Sequence, residues 1–404
     1  MQIAVIICSL LCGLLSLYMV WSCVGGLVLK RRRVEPQPPR ARIAAVIAAR
    51  NEEAVIGHLV RSLLKQDYPR ELYDIYVVPN NCTDNTEAEA RAAGAQILTC
   101  ELPVHSKGDV LRQVFAKLTA MNRYDAYCVF DADNLVDKGF MRAVNDALAS
   151  GQQVAQGFRD SKNPFDSWMS GSMSVFYWFM SRFYNESRSR LGLSCALNGT
   201  GFMVSDAVIR DIGWNVHTLT EDLEFTGLCA IHGYKIGWMP NAKVYDEQAT
   251  RFWDSCIQRR RWTAGSLQCM RGYVGRLLKK HTRSSIDVAL LFLGNLMCVM
   301  GLIPTIASAL EIYRRIAEAP QQAWRVILPL LLALALYWIA CSIGAAIMFK
   351  WHHRLNRRCV PAILLFPIFL ASWMPVNLYT CFTPPPKWKV IRHTSSVATP
   401  DGEG

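Results

Sequence analysis

The chain is 404 residues long, 51% hydrophobic and 19% charged, and carries a formal net charge of +12. The length admits one sizeable soluble domain plus several membrane helices, and the apolar residues gather at the two ends. Many basic residues flank those apolar ends, where they meet anionic headgroups, so no nucleic-acid partner is expected. The fourteen cysteines include no CxxC pair, and several, such as Cys8, Cys12 and Cys341, sit in apolar runs, which suits buried thiols in a reducing compartment, not a disulfide framework.

In chain order, Ile3 to Leu29 holds no charge and is followed at once by Lys30, Arg31, Arg32 and Arg33. Residues 1–30 therefore read as a transmembrane anchor with a cytoplasmic basic flank. A cleavable signal peptide is the alternative, but there the basic residues precede the apolar run and a small-residue cleavage site ends it.

Residues 42–280 alternate short β-branched runs with amphipathic stretches, the pattern of an α/β domain with a mainly parallel sheet. Ile43 to Ala48 and Tyr73 to Val78 are expected strands. Between them, Glu52 to Gln66 has helical apolar spacing. Thr86 to Ala93 is a helix ending at Gly94, leading to a strand at Ala95 to Thr99. The buried strand Ala126 to Phe130 runs straight into Asp131, Ala132 and Asp133, placing carboxylates at the sheet edge where open α/β folds keep their ligands. The aromatic stretch Trp168 to Tyr184 fits either a core helix or an element near the membrane or acceptor path.

Within 286–382, the runs Ile286 to Leu310, Val326 to Phe349 and Val360 to Phe382 each approach the roughly 20 residues that cross a bilayer. Three crossings would put the 383–404 tail outside, whereas Lys387, Lys389 and Arg392 favour it inside. Val360 to Phe382 carries Pro361, Pro367 and Pro375 and follows the basic stretch Lys350 to Arg358. It is therefore the candidate for a broken, non-spanning element.

Three clusters carry chemistry. Asp131 and Asp133 can direct oxygens at one hard cation on a diphosphate, or form a solvated acidic turn. Leu219 to Glu224 sets three carboxylates in an apolar context; one could act as a general base, or they could favour a helix N-terminus capped by Thr220. Gln258, Arg259, Arg260, Arg261 and Trp262 put three guanidiniums beside an indole, suited to a pyrophosphate and a stacked sugar. A juxtamembrane basic cluster is the alternative, weakened by the distance from Trp262 to the next apolar run at Ile286.

The ordered set Ala49-Arg50-Asn51-Glu52-Glu53, Asn81-Cys82-Thr83-Asp84-Asn85-Thr86, Lys107-Gly108, Asp131-Ala132-Asp133, Asn198-Gly199-Thr200-Gly201, Thr220-Glu221-Asp222 and Gln258-x-x-Arg261-Trp262 resembles the membrane-integrated family 2 glycosyltransferases. That group includes cellulose, chitin, hyaluronan and poly-N-acetylglucosamine synthases. The resemblance covers about residues 43–265. It implies a GT-A nucleotide-sugar-binding domain, a UDP-sugar donor and a Mg²⁺ or Mn²⁺ ion held by Asp131 and Asp133. Asp222, beside Glu221, would take the proton of the acceptor hydroxyl in an inverting displacement. Gln258, Arg261 and Trp262 would close over the pyrophosphate and acceptor sugar. Glu52 and Asp84 would lie near the uridine, and Lys107 near the uracil or phosphates. At Asn80 the family usually has an aspartate that accepts from uracil; an amide oxygen can still accept, without the charge.

The expected activity is transfer of a hexose or N-acetylhexosamine at the cytoplasmic face of the plasma membrane by a multi-pass protein. Processive synthesis of a β-linked polysaccharide is the first expectation. Single-sugar transfer to a lipid acceptor, as in the family's ceramide glucosyltransferases, is the alternative. Few membrane segments favour the latter, since a glycan channel would need a homo-oligomer or an export subunit. A membrane receptor that only senses nucleotide or sugar is the reading from another class.

Overall fold

A computed structural model describes residues 2–30 and 34–386. The inward pull expected of Lys387, Lys389 and Arg392 lies outside the described residues. The first helix, α1 (Gln2–Val24), is followed by β1 (Ile43–Ala49), α2 (Ile56–Leu64), β2 (Tyr73–Pro79), α3 (Thr86–Ala92), β3 (Gln96–Ile97) and α4 (Lys107–Ala120). Next come β4 (Ala126–Asp131), β5 (Leu135–Val136), α5 (Phe140–Ala149), β6 (Val154–Ser161) and α6 (Trp168–Phe179), which runs into a π-helical stretch, Met180–Glu186. The domain closes with α7 (Ser187–Arg190), β7 (Phe202–Ser205), α8 (Asp206–Ile212), α9 (Glu221–His232) and β8 (Ile236–Asp246). Long helices complete the chain: α10 (Phe252–Lys279), α11 (Arg283–Glu318), α12 (Trp324–Trp351), α13 (Val360–Ala371) and α14 (Trp373–Cys381).

The eight strands form one sheet in the order β3-β2-β1-β4-β7-β6-β8-β5. It is mixed, which corrects the expectation of a mainly parallel sheet. β1 pairs in parallel with β2 and β4, β2 with β3, and β6 with β8. β7 runs antiparallel to both β4 and β6, and β5 antiparallel to β8. The first half of the domain is the alternating α/β unit that periodicity detects; the direction of the four-residue β7 is set by pairings far along the chain, which periodicity does not report.

Alternation along the central strands feeds two cores. Ile43, Ala45 and Ile47 of β1 face α2 and α5, while Ala44 and Val46 face α4, α8 and α9. Both faces are covered, so β1 reads as a continuous apolar run rather than an alternation. Gly94, in the left-handed region at φ +100°, ends α3 where the sequence placed the stop.

Val5–Val28, Pro320–Trp351 and Arg357–Cys381 are long and apolar enough to cross a membrane, and α11 bends by 50° between Arg283–Gly294 and Val299–Glu318. Each of these elements also packs against the part of the chain that carries the sheet. Tyr18 of α1 donates to Asp287 of α11 (2.7 Å), which is paired with the fully buried Arg188 (2.9 Å). At the start of the 357–381 segment Arg354 donates to Asp160 (2.9 Å), and just beyond its end Arg260 of α10 donates to the Pro384 carbonyl (2.9 Å). Both ends of that segment thus lie against the domain that carries the sheet.

Candidate active site

Strand ends β1, β2 and β4 deliver Ala48, Asn80 and Asp131 to one cleft of about 570 Å³, a size suited to a nucleotide-scale ligand. The same cleft is lined by Glu52, Lys107, Asp133, Glu221, Asp222, Gln258, Arg261 and Trp262. Elements far apart in sequence therefore converge on one cleft.

Asp131 ends β4, and its backbone N–H donates to Thr200 Oγ1 (3.1 Å) and Asn134 Oδ1 (3.2 Å), which fixes the turn through Asp133. Lys107 opens α4 behind a capping box formed by Ser106 and Asp109. Its ammonium donates to Asp131 Oδ1 (2.5 Å) and to the Gly199 carbonyl (2.7 Å). Burial works against the Asp131 charge, but Lys107, Arg159 and Arg261 outweigh it and hold the carboxyl below its usual range.

Gly199 turns through the left-handed region (φ +82°), and a Cβ there would stand 3.4 Å from Asp222 Oδ2. Asp222 lies in the first turn of α9 and accepts from the Leu223 N–H (2.8 Å). Burial, and then the neighbouring Glu221 charge, push its pKa up to about 7. The third carboxylate of the run, Glu224, is buried and committed elsewhere: it accepts from the His217 and Thr218 N–H groups (2.6 Å each) and from Tyr273 OH (2.5 Å). Thr220 stands at the N-cap of α9 without a side-chain cap bond, and Glu221, Asp222 and Glu224 fill the first turn, where they favour the helix dipole.

Gln258, Arg261 and Trp262 share one face of α10 through their i, i+3, i+4 spacing. Gly265 lets that helix close on the carboxylate run, because a Cβ there would stand 2.4 Å from Thr220 Oγ1. Two of the three guanidiniums are corrected by the structure. Arg259 is fully buried, donates to Ser372 Oγ (2.8 Å) and stacks over Phe369, and Arg260 reaches the end of α14. Only Arg261 lines the cleft. Trp262 stacks on Phe176 (6.5 Å, 16°) and Trp373 (6.3 Å, 28°). Among the described residues, Asn198 Nδ2, Gln258 Oε1 and Arg261 Nε are buried without a partner, which a polar ligand in the cleft would resolve.

Asp84 does not line the cleft. It accepts from the Glu53 N–H (3.1 Å) and from Thr86 OH (2.5 Å), tying the loop after β2 to the loop after β1. Asn80 does line it, with Nδ2 donating to the Ala49 carbonyl (2.9 Å), so its own amide oxygen remains to accept. Sequence reasoning missed Arg159, Asp246 and Trp373, which line the cleft as well. Arg159 donates to Asp246 (3.0 Å) and to the Asn198 carbonyl (2.6 Å), bracing the glycine turn. Charged residues inside the strand patterns at 154–161 and 236–246 were the available signal.

A beta-monoglucosyldiacylglycerol synthase of Synechocystis sp. is 28% identical over 277 residues, covering 62% of this chain and 56% of that protein. The enzyme of the same name from Nostoc sp. is 28% identical over 292 residues, covering 67% and 59%. A probable glycosyltransferase of Bacillus subtilis, YdaM, is 24% identical over 279 residues, covering 65% and 64%. The chain thus spans less than two thirds of the length of these curated relatives. The first two are monoglucosyldiacylglycerol synthases by name, which replaces the expected kinship with cellulose and chitin synthases. The mannosyltransferase PcManGT of Pyrobaculum calidifontis, in complex with GDP-Man and Mn²⁺, superposes with a TM-score of 0.61 at 18% identity, covering 92% of this chain and 99% of that one, which shows the GT-A fold. The sequence model of the "Glycosyltransferase like family 2" matches residues 38–265. Since that match takes in more than half of the chain, from before β1 to the Gln258–Trp262 motif, the chain belongs to glycosyltransferase family 2.

Proposed function

We propose that this chain transfers a single hexose from a UDP-sugar to the hydroxyl of a diacylglycerol-type membrane lipid, with inversion. One observation carries the reading: the cleft that holds Asp131 and Asp222 is continuous with a wall of Phe176, Leu291, Gly294 and Trp373, and the last three belong to the apolar helices α11 and α14. An acceptor at that wall comes from the bilayer rather than from water. The names of the curated relatives support the same acceptor class. Polysaccharide synthesis has less support, since α1, α11 and α12 are too few to enclose a glycan channel.

The roles follow from the placements. Asn80 accepts from the base, and Arg261 and Gln258 contact the diphosphate and acceptor, giving the buried atoms their partners. Asp222 takes the acceptor proton as the hydroxyl oxygen attacks the anomeric carbon, with Glu221 keeping its basicity high. Asp131 and Asp133 supply hard oxygen donors. Among the described residues no larger cluster of ligating side chains exists, and two carboxylates plus substrate phosphates are a set that Mg²⁺ or Mn²⁺ accepts. Such an ion would neutralise the leaving diphosphate.

In the membrane, α1, α11 and α12 are the crossings, and α13 and α14 lie in the interface. This accounts for both ends of the 357–381 segment meeting the soluble domain, and it removes the conflict over the side of the tail. The basic flank after α1 supports a cytoplasmic catalytic domain, residues 42–280.

The test follows UDP release from a panel of UDP-sugars with Mn²⁺, with and without vesicles containing dioleoylglycerol, and with EDTA. Release that rises with the vesicles and stops with EDTA supports the reading. Release indifferent to the vesicles sinks the lipid acceptor.

A further inference from the structure

One part of the cleft lining is built unlike the rest of it. Asp131, Asp222 and Arg261 sit among charges and buried donors, but Phe176, Met180, Leu291, Gly294 and Trp373 line the cleft as well, and Phe176 and Trp373 pack on Trp262. These come from the α6 region, from α11 and from α14. The α11 break begins at Gly294, where the chain turns by 50° from a half docked on the soluble domain to a half that is exposed. On the docked half, Val288, Ala289 and Phe292 are buried against α9 and α10, so that wall is held in place. Gly294 itself is open: among the described residues, no atom lies within 4 Å of a Cβ built there. In the same lining, the Trp373 indole N–H is buried and, among the described residues, has no partner.

We propose that the gap at Gly294, where α11 breaks beside the cleft, is the doorway through which the acceptor lipid's acyl chains run back into the bilayer while its hydroxyl reaches Asp222. The inference rests on the lipid-acceptor reading and adds the path and the residue that sets its width. A cleft of about 570 Å³ has room for a nucleotide sugar and a polar headgroup but not for two long chains besides. Each methylene withdrawn from the bilayer into water is unfavourable, so the chains need a lateral opening. An opening framed by a residue without a side chain, with an unpartnered indole donor nearby for an ester carbonyl, suits a glycerolipid.

The experiment compares wild type, Gly294→Ala and Gly294→Trp, full length in phospholipid vesicles with UDP-glucose and Mn²⁺. Two acceptors are offered: dioleoylglycerol, whose chains must pass the doorway, and dihexanoylglycerol, whose chains need not reach through it. UDP binding is measured alongside. The expected result is that Gly294→Trp lowers transfer to dioleoylglycerol by about tenfold or more relative to transfer to dihexanoylglycerol, with UDP affinity retained. Gly294→Ala should lower the same ratio by less than Gly294→Trp does. If Gly294→Trp loses UDP binding, Gly294→Leu is held to the same ratio. An unchanged ratio between the two acceptors overturns the doorway while leaving the lipid reading intact. A wild-type protein that glycosylates neither acceptor overturns the lipid reading and this inference with it.

Discussion

Lys107 Nζ stands 2.5 Å from Asp131 Oδ1 and 3.9 Å from Glu221 Oε1, so one ammonium joins the aspartate turn that follows β4 to the first residue of α9. Burial would discharge this lysine, but Asp131 and Glu221 outweigh it and raise its pKa. Replacing it removes the group that keeps Asp131 charged and that spans donor and acceptor sides. Lys107→Met should lower kcat by roughly 10²-fold and raise the donor KM. Steady-state kinetics with UDP-glucose check this, and an unchanged KM would place Lys107 outside the donor site.

Asp222 is the expected base. Asp222→Asn should cost roughly 10²- to 10⁴-fold in kcat with UDP binding retained. Because its pKa is pushed up to about 7, wild-type transfer should rise with pH and level off above that value. The stability sign is the opposite. The folded state holds the proton more tightly than the unfolded one, so this group lowers stability as pH rises from about 4 to about 7. Asp222→Asn should therefore melt higher than wild type at pH 8 and nearly alike at pH 4. A melting difference independent of pH would contradict the assignment.

Two arginines one turn face apart should fail differently. Arg259 is fully buried and binds Ser372 and the Phe369 carbonyl, so Arg259→Met should destabilise the fold by about 3 kcal/mol. Arg261→Ala should leave the melting temperature near wild type and cut kcat/KM by roughly 10²-fold. Thermal unfolding and kinetics on the same preparations separate them. Equal effects on both readouts would refute the division.

Gly265 sits inside a helix, where alanine would ordinarily stabilise by up to about 1 kcal/mol. Here an added Cβ would stand 2.4 Å from Thr220 Oγ1 and 2.8 Å from the Thr220 backbone nitrogen. Gly265→Val should instead destabilise by about 1–3 kcal/mol and lower turnover by shifting Asp222 against Arg261. A variant as active and stable as wild type would show that α10 does not position the base.

The elements that the chain's periodicity announces are those whose partners are near in sequence: β1, α2, β2, α3 and β4 appear within a few residues of expectation. Gln258, Arg261 and Trp262 were legible as the Gln-x-x-Arg-Trp motif, and the structure puts them on one face of α10. What escaped depends on distant contacts. β7 is too short to declare its direction, and β4 and β6 set it from either side. Asp84 carries a family motif, yet the contacts of Thr86 and Glu53 draw it into a loop tie. Arg159 and Asp246 were not singled out in the sequence, and only their pairing across β6 and β8 shows why charge is tolerated there. The aromatic stretch at 168–184 left two readings open; Trp178 lies in a core, and Phe176 lines the cleft.

The most direct test of the central claim is the identity of the product. Wild type and Asp222→Asn are incubated in dioleoylglycerol vesicles with Mn²⁺ and radiolabelled UDP-glucose, and the label is partitioned into chloroform and sized by mass spectrometry. The account predicts a lipid-soluble product carrying one hexose, made by wild type and absent with Asp222→Asn. Label retained in a water-soluble or polymeric product, or glycolipid formed equally by Asp222→Asn, would contradict it.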